Sequence, residues 1–524
     1  MDPKLLVKEG KSYYIQQFFT GCLAEMAYYI ESDKVAVIID PMRDYQRYID
    51  LLNQRGATLK YVIETHFHAD FVSSHLDIAK ITGATIVFGP TASPKYEIKV
   101  ASDEEILEIG SVKLQVLHTP GHTPESSCYL LLDENNTAQC VFTGDTLFLG
   151  DVGRPDLACN SNVTKEDLAG QLFDSLRSKI FKLPRDIIVY PAHGAGSSCG
   201  KNISDGTFDT LENQFKTNWA LQESVTREEF VSRLVKISAP PQQQLLVLLA
   251  FKLKIVARKQ SQLQINQSSD YSFIQQYIVL IGEVQFCYFY DARINREGYE
   301  SLDIVLERST KALTVDQVKQ EVQDGAIIVD GRSNQDYVHE FIPGSFFLSL
   351  GMPFAQWIGT LIKPETKLII VAPAGQEKEA IVRLARIGYH TVLGYLDGGI
   401  NAWKNAGLPL DHSKDVTAED FVENLSNGIY AIDVRKPDEL INGGSVKGLK
   451  NVELTVLEAE LTKNPNLFPK DQDLYIMCRS GQRSVVAISI LKKFGYDKLI
   501  NVAGGFIAVE KTGASEVVGP TCTN

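Results

Sequence analysis

Short apolar runs of strand length alternate with helical and turn patterns over the first part of the chain. AYYIES at 27–32 and KVAVIID at 34–40 are rich in aromatic and β-branched residues and are predicted strands. YQRYIDLLNQRG at 45–56 spaces its apolar residues at the helical period and stops at glycine, which predicts a helix. KYVIE at 60–64 is a further strand and runs directly into Thr65 and His66. The same pattern continues through ATIVF, KLQVLHTPGHT, CYLLLD and CVFTGD, each strand ending on polar residues. Strand and helix in repetition predict a layered α/β domain with its chemistry at strand ends, although such a frame by itself names no reaction.

The last two hundred or so residues repeat themselves. AIIVDGR at 326–332 matches YAIDVR at 430–435, LIIVAPAGQEKEAI matches LYIMCRSGQRSVVA, and LDGGINAW matches VAGGFIAV. The offset is 103 at Asp330 and Asp433 and 106 at Ala372 and Cys478, a period of whole domains and not of a solenoid. A length of 524 residues allows about three domains. The expected bounds are 1–240 for the first, 241–297 for a linker, and 298–412 and 413–524 for the repeated pair. Inside the linker, 242–287 lacks clear periodicity and reads either as irregular chain with an amphipathic piece or as an insertion foreign to the working architecture.

Composition narrows the function classes. Lys and Arg number 52 against 65 Asp and Glu, a net charge of −13, which excludes general nucleic-acid binding, since that needs a basic footprint. The stretch MDPKLLVKEGKSYYIQQFF has no basic segment followed by an apolar core, so no secretory signal is expected. The longest apolar run, LLVLLAF, stops at Lys252, far short of the roughly 20 residues of a membrane span. The expectation is a soluble, cytoplasmic protein with no membrane partner. Its eight cysteines are scattered without CxxC pairs, which favours reactive thiols over a disulfide framework or a cysteine zinc site.

Six of the nine histidines lie between positions 66 and 193. THFHADFVSSH at 65–75 places His66, His68 and Asp70 on a tight loop after a strand, and His122 in HTPGHT, Asp145 in FTGD and His193 in YPAHG follow. A lone histidine on a strand is commonly a hydrogen-bonded structural residue, but this set in this order, with Gly121, Gly144 and Gly194 allowing close backbone approach, points to a metal. The set resembles the metallo-β-lactamase superfamily, whose αββα sandwich carries HxHxDH and later His, Asp and His ligands at its edge. Phe71 stands where the last histidine of that motif belongs, and a phenyl ring offers no lone pair. A second metal site using Asp70, Asp145 and His193 would therefore lack a ligand.

Within that superfamily the chain is similar to the persulfide dioxygenases, through THFHAD, GHT and GDTLFLGDVGRPD at 144–156. The resemblance implies one Fe(II) per chain held by His66, His122 and Asp145, with O2 as co-substrate and positions left open for O2 and a substrate sulfur. It implies that His68, Asp70 and His193 orient ligands or waters through hydrogen bonds. Arg154 would contact an anionic persulfide or its carrier, or else brace its loop by pairing with Asp156 or Asp151. Cys199 and Cys22 resemble cysteines near the site of multidomain bacterial persulfide dioxygenases and are candidate persulfide relays, although a free cysteine is commonly just a small buried hydrophobe.

In the last domain the strand LYIM runs into CRSGQRS, so Cys478 opens a short loop that feeds a helix. Such a loop turns successive N–H groups towards one spot, where an anionic thiolate or persulfide is stabilised, and Arg479 and Arg483 add positive charge. With DVRKPDE at 433–439 and AGGF near Gly504, the segment resembles a rhodanese sulfurtransferase. Cys-x5-Arg loops also occur in cysteine phosphatases, but the DVR and GG motifs favour rhodanese. The first copy keeps VDGRS and LDGGINAWKNAGLPL but has Ala372 in place of Cys478 and Glu377 in place of Arg483, so it is expected to be silent, a packing or docking domain.

The implied whole is an αββα metallo-β-lactamase domain followed by two rhodanese-like α/β domains, the order of persulfide dioxygenase and sulfurtransferase fusions. Such an enzyme oxidises a low-molecular-weight thiol persulfide to sulfite and passes a second sulfur through Cys478 to give thiosulfate. A homo-oligomer is expected, as silent domains serve assembly in large fusion enzymes. The rivals are a glyoxalase II-like zinc thioester hydrolase and a non-catalytic sulfur-binding or redox-sensing scaffold.

Overall fold

The computed structural model describes residues 6–10, 12–159, 163–197, 199–200, 202–238 and 286–514. It divides into two compact units, residues 1–303 with 385–388, and the rest of the chain from 304. The first sheet of the first unit contains β1 (Leu6–Glu9), β2 (Tyr14–Thr20), β3 (Glu25–Ser32), β4 (Val35–Ile39), β5 (Thr58–Ile63), β6 (Thr85–Phe88) and β7 (Lys99–Val100), in sequence order. β1 to β4 pair antiparallel as the short turns between them require, and β4 to β7 pair parallel. The second sheet contains β8 (Ile106–Ile109), β9 (Val112–His118), β10 (Ser127–Leu132), β11 (Ala138–Gly144), β12 (Ile188–Pro191) and β13 (Asp209–Thr210), ordered β13-β12-β11-β10-β9-β8.

Side chains alternate across each strand, and this alternation builds the layers. Val37 and Ile39 of β4 join Leu114, Val116, Tyr129, Leu131 and Phe142 of the second sheet in one core between the sheets. The other face of the second sheet, with Leu130, Val141 and Val189, packs on Leu172 and Leu176 of the helix Lys165–Ser178 and on Phe230 and Leu234 of the helix Arg227–Ser238. The helix Gln46–Arg55 buries Tyr48, Leu51 and Leu52, and the helix His75–Thr82 buries Ile78. The result is the expected sandwich of two sheets between helices.

The second unit holds two five-stranded sheets, made mainly of parallel strands. One contains β14 (Ala312–Leu313), β15 (Ile327–Asp330), β16 (Phe346–Phe347), β17 (Leu368–Val371) and β18 (Val392–Leu396), ordered β14-β18-β17-β15-β16. The other contains β19 (Lys414–Val416), β20 (Tyr430–Asp433), β21 (Lys450–Asn451), β22 (Leu474–Met477) and β23 (Leu499–Val502), ordered β19-β23-β22-β20-β21. The two orders agree position for position, so the sequence repeat is a repeat of topology. The central strands LIIV and LYIM are buried along their whole length, as parallel strands covered on both faces must be.

Most of the atypical stretch 242–287 lies outside the described residues. The chain is described again from Phe286, where the helix Phe286–Glu297 falls within the segment read from the sequence as linker and is built into the first unit. No helix among the described residues is long and apolar enough to cross a membrane.

Phe142 lies in the centre of the inter-sheet core, 4.9 Å from the Tyr28 ring and stacked on Tyr190 at 5.4 Å. Phe142→Ala should destabilise the first unit by about 3–5 kcal/mol, read as an earlier unfolding transition in urea while the transition of the second unit stays in place.

Candidate metal centre and sulfur-transfer loop

Residues with metal-binding side chains stand just past the ends of strands. After β5 the chain turns through Glu64, Thr65 and His66; β11 delivers Asp145, β12 delivers His193, and the turn between β9 and β10 delivers His122. Gly144, at φ +52, is backed against Thr65, whose side chain a Cβ would meet at 2.7 Å. Glycine is what lets the β11 end close on the β5 loop.

His66, His122 and Asp145 are buried and bring their donor atoms within 4.8 Å of one another. His122 Nε2 lies 3.3 Å and His66 Nε2 3.9 Å from Asp145 Oδ2. The opposite ring nitrogens are engaged elsewhere. His122 Nδ1 donates to the Arg154 carbonyl at 2.8 Å. Thr65 Oγ1 donates to Asp40 Oδ2 at 2.8 Å, so at 2.9 Å from His66 Nδ1 it accepts the ring proton. With Nδ1 committed in this way, both imidazoles turn Nε2 towards Asp145, the atom a metal ligand would offer. Burial, helped by the imidazoles of His68, His122 and His193, holds His66 well below its usual pKa and therefore neutral. Neither oxygen of Asp145 has a hydrogen-bond partner among the described residues. A buried carboxylate in that state needs a cation beside it, and two imidazoles with one carboxylate suit a transition metal. The residues present fit a metal ion.

Asp70, His193 and Cys199 form a second converging group. His193 Nε2 lies 3.4 Å from Asp70 Oδ2 and 3.5 Å from Asp145 Oδ1, so Asp145 turns one oxygen to each group. Burial pushes the Cys199 thiol well above its usual range, and the carboxylates of Asp70 and Asp145 push it further. His68 turns away, with its Nε2 3.1 Å from Asp40 Oδ1 and 3.4 Å from Glu64 Oε2, and the ring of fully buried Phe71 lies against it at 4.2 Å. Burial opposes its charge, but the Asp40 and Glu64 carboxylates hold His68 well above its usual pKa. Of the three residues expected to orient ligands, the structure brings Asp70 and His193 to Asp145 and sends His68 to Asp40.

Arg154 Nε pairs with Asp156 Oδ1 at 2.7 Å, the loop brace named as one of its readings. Its backbone joins the two groups, because its N–H donates to the Cys199 carbonyl at 3.2 Å while its own carbonyl accepts from His122. Cys22 is half-buried in the turn after β2 and joins none of the metal-binding groups found among the described residues.

Sequence reasoning missed four residues here. Asp40 and Thr65 set the His66 tautomer; the only signal for Asp40 was a carboxylate closing the apolar run KVAVIID. Glu25, bridged through its backbone to His193, is buried with neither oxygen hydrogen-bonded among the described residues, and burial raises its carboxyl well above the usual range against the pull of Arg47. Asn295, from the helix Phe286–Glu297, donates to the carbonyls of His68 at 2.9 Å and Phe71 at 2.7 Å and accepts from the Ser73 N–H at 3.0 Å. This one buried amide clips the loop that carries Asp70, and no motif announces it.

In the second unit Cys478 is fully buried at the end of β22. Its Sγ accepts from the Gly481 N–H at 3.2 Å and lies 3.5 Å from Ser484 Oγ. The Cys478 and Arg479 carbonyls are drawn outward by the N–H groups of Phe506 and Ile507, at 2.7 and 3.0 Å. Arg483 makes two bonds of 2.7 Å to Glu439, and against the cost of burial this guanidinium holds the Glu439 carboxyl below its usual range. Arg479 is exposed. Ala372 occupies the matching place after β17 in the first copy, and Glu377 opens the helix that follows.

Residues 20–193 match the metallo-beta-lactamase superfamily, and residues 314–406 and 417–512 match the rhodanese-like domain twice in succession. The chain therefore belongs to the metallo-β-lactamase superfamily and carries two rhodanese-like domains. More narrowly, it is related to the persulfide dioxygenases: it is 28% identical over 240 residues to the human protein named persulfide dioxygenase ETHE1, mitochondrial, covering 45% of this chain and 86% of that one. It is also 32% identical over 198 residues to the probable hydroxyacylglutathione hydrolase glo2 of Schizosaccharomyces pombe, covering 36% of this chain and 70% of that one. A solved metallo-beta-lactamase from Staphylococcus aureus subsp. aureus COL superposes with a TM-score of 0.58 at 26% identity, over 74% of this chain and 99% of its own.

Asn295→Ala should weaken metal retention roughly 10- to 100-fold, the usual effect of losing a group that orients the ligand shell. Competition with a chromophoric chelator reads this directly, and retention equal to the parent would remove Asn295 from the support of the centre.

Proposed function

We propose that the chain is a non-heme iron persulfide dioxygenase coupled to a thiosulfate-forming sulfurtransferase. The observation that carries this reading is the buried set His66, His122 and Asp145, with both outer ring nitrogens committed, in a chain that has Phe71 where the superfamily motif has a further histidine. Ferrous iron, one per chain, would supply activation of O2 and a seat for the persulfide sulfur when bound by these residues. Overall, a thiol persulfide RSSH, O2 and water give RSH, sulfite and two protons. His193 Nε2, between Asp70 and Asp145, is placed to take a proton released in that balance. Arg154, whose guanidinium is oriented by Asp156, is the proposed anion contact for the carrier, and Cys199, beside Asp70 and His193, is the proposed nearer relay cysteine.

In the second step the Cys478 thiolate attacks the outer sulfur of RSSH, releasing RS⁻ and leaving a cysteine persulfide. Sulfite then takes that sulfur as thiosulfate and returns the thiolate. The Gly481 N–H holds the anionic sulfur, and exposed Arg479 supplies charge to incoming sulfite, while Arg483 is tied to Glu439. Small-molecule persulfide and sulfite are thus the proposed partners.

A zinc thioester hydrolase is the second reading. The group Asp70, His193 and Cys199 beside Asp145 favours it, because Cys199 supplies a donor where Phe71 removes one. Metal analysis with an oxygen-electrode trace decides between them. One iron per chain and O2 uptake dependent on glutathione persulfide support the dioxygenase; two zinc ions with thioesterase activity support the hydrolase.

Asp145→Ala should lose the bound iron and O2 uptake together, and full uptake in that variant would take Asp145 out of the ligand set. Cys478→Ser should still consume O2 with glutathione persulfide but release sulfite where the parent releases mainly thiosulfate. A serine alkoxide is inaccessible near neutral pH and cannot carry a sulfane sulfur. Thiosulfate at the parental rate would move the carrier role to another thiol, with Cys199 and Cys22 next in line.

A further inference from the structure

The rhodanese-like copy that lacks sulfur chemistry reaches into the loop of the copy that has it. Asn334 is the first residue of the helix Asn334–His339 in the silent copy, and its Nδ2 donates to the Gly481 carbonyl at 3.2 Å. Gly481 is the residue whose own N–H donates to Cys478 Sγ at 3.2 Å. Its backbone is held at φ +81, pressed so closely on the Gly504 amide that a Cβ would lie 2.9 Å from that nitrogen. The Cys478 and Arg479 carbonyls are fixed from within the active copy by Phe506 and Ile507. The Gly481 carbonyl is instead fixed by the silent copy.

The contact runs one way. With the offset of 103 that relates Asp330 to Asp433, the active copy has Pro437 at the place of Asn334, and proline has no side-chain donor to return the bond. The surrounding packing follows the same direction. The helix Arg483–Lys493, which leaves the catalytic loop, packs on Phe346 and Phe347 of the silent copy, and Lys492 Nζ pairs with Asp411 Oδ2 at 2.9 Å.

We infer that the silent copy is the positioning element of the sulfur-transfer loop, acting through Asn334. By holding the Gly481 carbonyl it keeps the preceding N–H aimed at the Cys478 sulfur, and a donor so fixed favours thiolate over thiol and persulfide anion over its acid. Asn334 touches neither sulfur nor acceptor, so it is a positioning residue. Its role presupposes Cys478 as the sulfur carrier proposed above.

The test uses the full chain as Asn334→Ala and Asn334→Asp, with Cys478→Ser as the blank. Aspartate keeps the shape and favours a helix start but cannot donate. The pH dependence of iodoacetamide alkylation at Cys478 is read by mass spectrometry, and thiosulfate formation is measured from glutathione persulfide and sulfite. In Asn334→Ala the alkylation midpoint should rise by roughly half to one pH unit and thiosulfate turnover should fall about fivefold, the scale of one hydrogen bond. KM for sulfite and the melting temperature should change little. Asn334→Asp should shift the midpoint at least as far. Midpoints equal to the parent in both variants would overturn the role, and a lower melting temperature with an unshifted midpoint would overturn it too, leaving Asn334 as packing. A parent chain that makes no thiosulfate would sink the carrier reading instead, and the alkylation midpoint would still decide the role of Asn334.

Discussion

A carboxylate buried with neither oxygen hydrogen-bonded is the constraint around which the first unit is organised. Asp145 sits at the end of β11 with its two oxygens turned to two different groups of imidazole donors. Left alone, such a group would protonate or draw in water, since an isolated buried charge costs many kcal/mol. The surroundings are arranged so that only a cation completes it. His66 is held neutral, and the Nδ1 protons of His66 and His122 are committed to Thr65 and the Arg154 carbonyl. The positive charge the loop does carry, on His68, is drawn off to Asp40 and Glu64. Asp40 serves both ends of this division, accepting from Thr65 and pairing with His68. Removing it would free the His66 ring and release the His68 charge in one stroke.

The loop after β22, for which sulfur transfer is proposed, faces the opposite problem, holding the Cys478 sulfur without a metal. Its means is the Gly481 N–H, turned to the Cys478 sulfur while loop carbonyls are engaged outside by the start of the helix Gly505–Lys511 and by Asn334. Gly505 makes the first of these possible, since a Cβ there would strike the Cys478 carbonyl at 2.5 Å. The AGGF segment that marked this domain in the sequence is therefore a packing requirement of the loop itself.

What was legible in the sequence was what chemistry concentrates into short strings. His66, Asp70, His122, Asp145, His193 and Cys478 each sit in a strand-end motif, where ligand type and neighbouring glycines occur together. The layered fold was legible for the same reason, because strand alternation and helical period are local. Asn295, Glu25 and Asn334 were not, since each acts across the fold on a partner that composition does not reveal. Asn295 was further hidden by its position within a stretch that read as linker, where one buried amide leaves no periodic trace. Arg154 was read for its side chain, yet its backbone carbonyl is what touches His122.

The two rhodanese-like copies separate what the fold needs from what the reaction needs. Both keep a buried aspartate and arginine at the end of the strand beside the central one, Asp330 with Arg332 after β15 and Asp433 with Arg435 after β20. In both the arginine also reaches a backbone carbonyl of the following turn, Glu340 or Gly444. Removing one partner would strand the other charge in the interior, so this pair persists whether or not sulfur is handled. The loop residues are under no such constraint. Ala372 needs no anion cradle, and Glu377 would repel one, so the silent copy's loop is released from chemistry. What remains is a rigid sheet and a short helix start, from which a single amide reaches the neighbouring loop. That amide meets a loop carbonyl for which the other copy supplies no donor among the described residues, so the contact joins the two copies at the loop that carries Cys478.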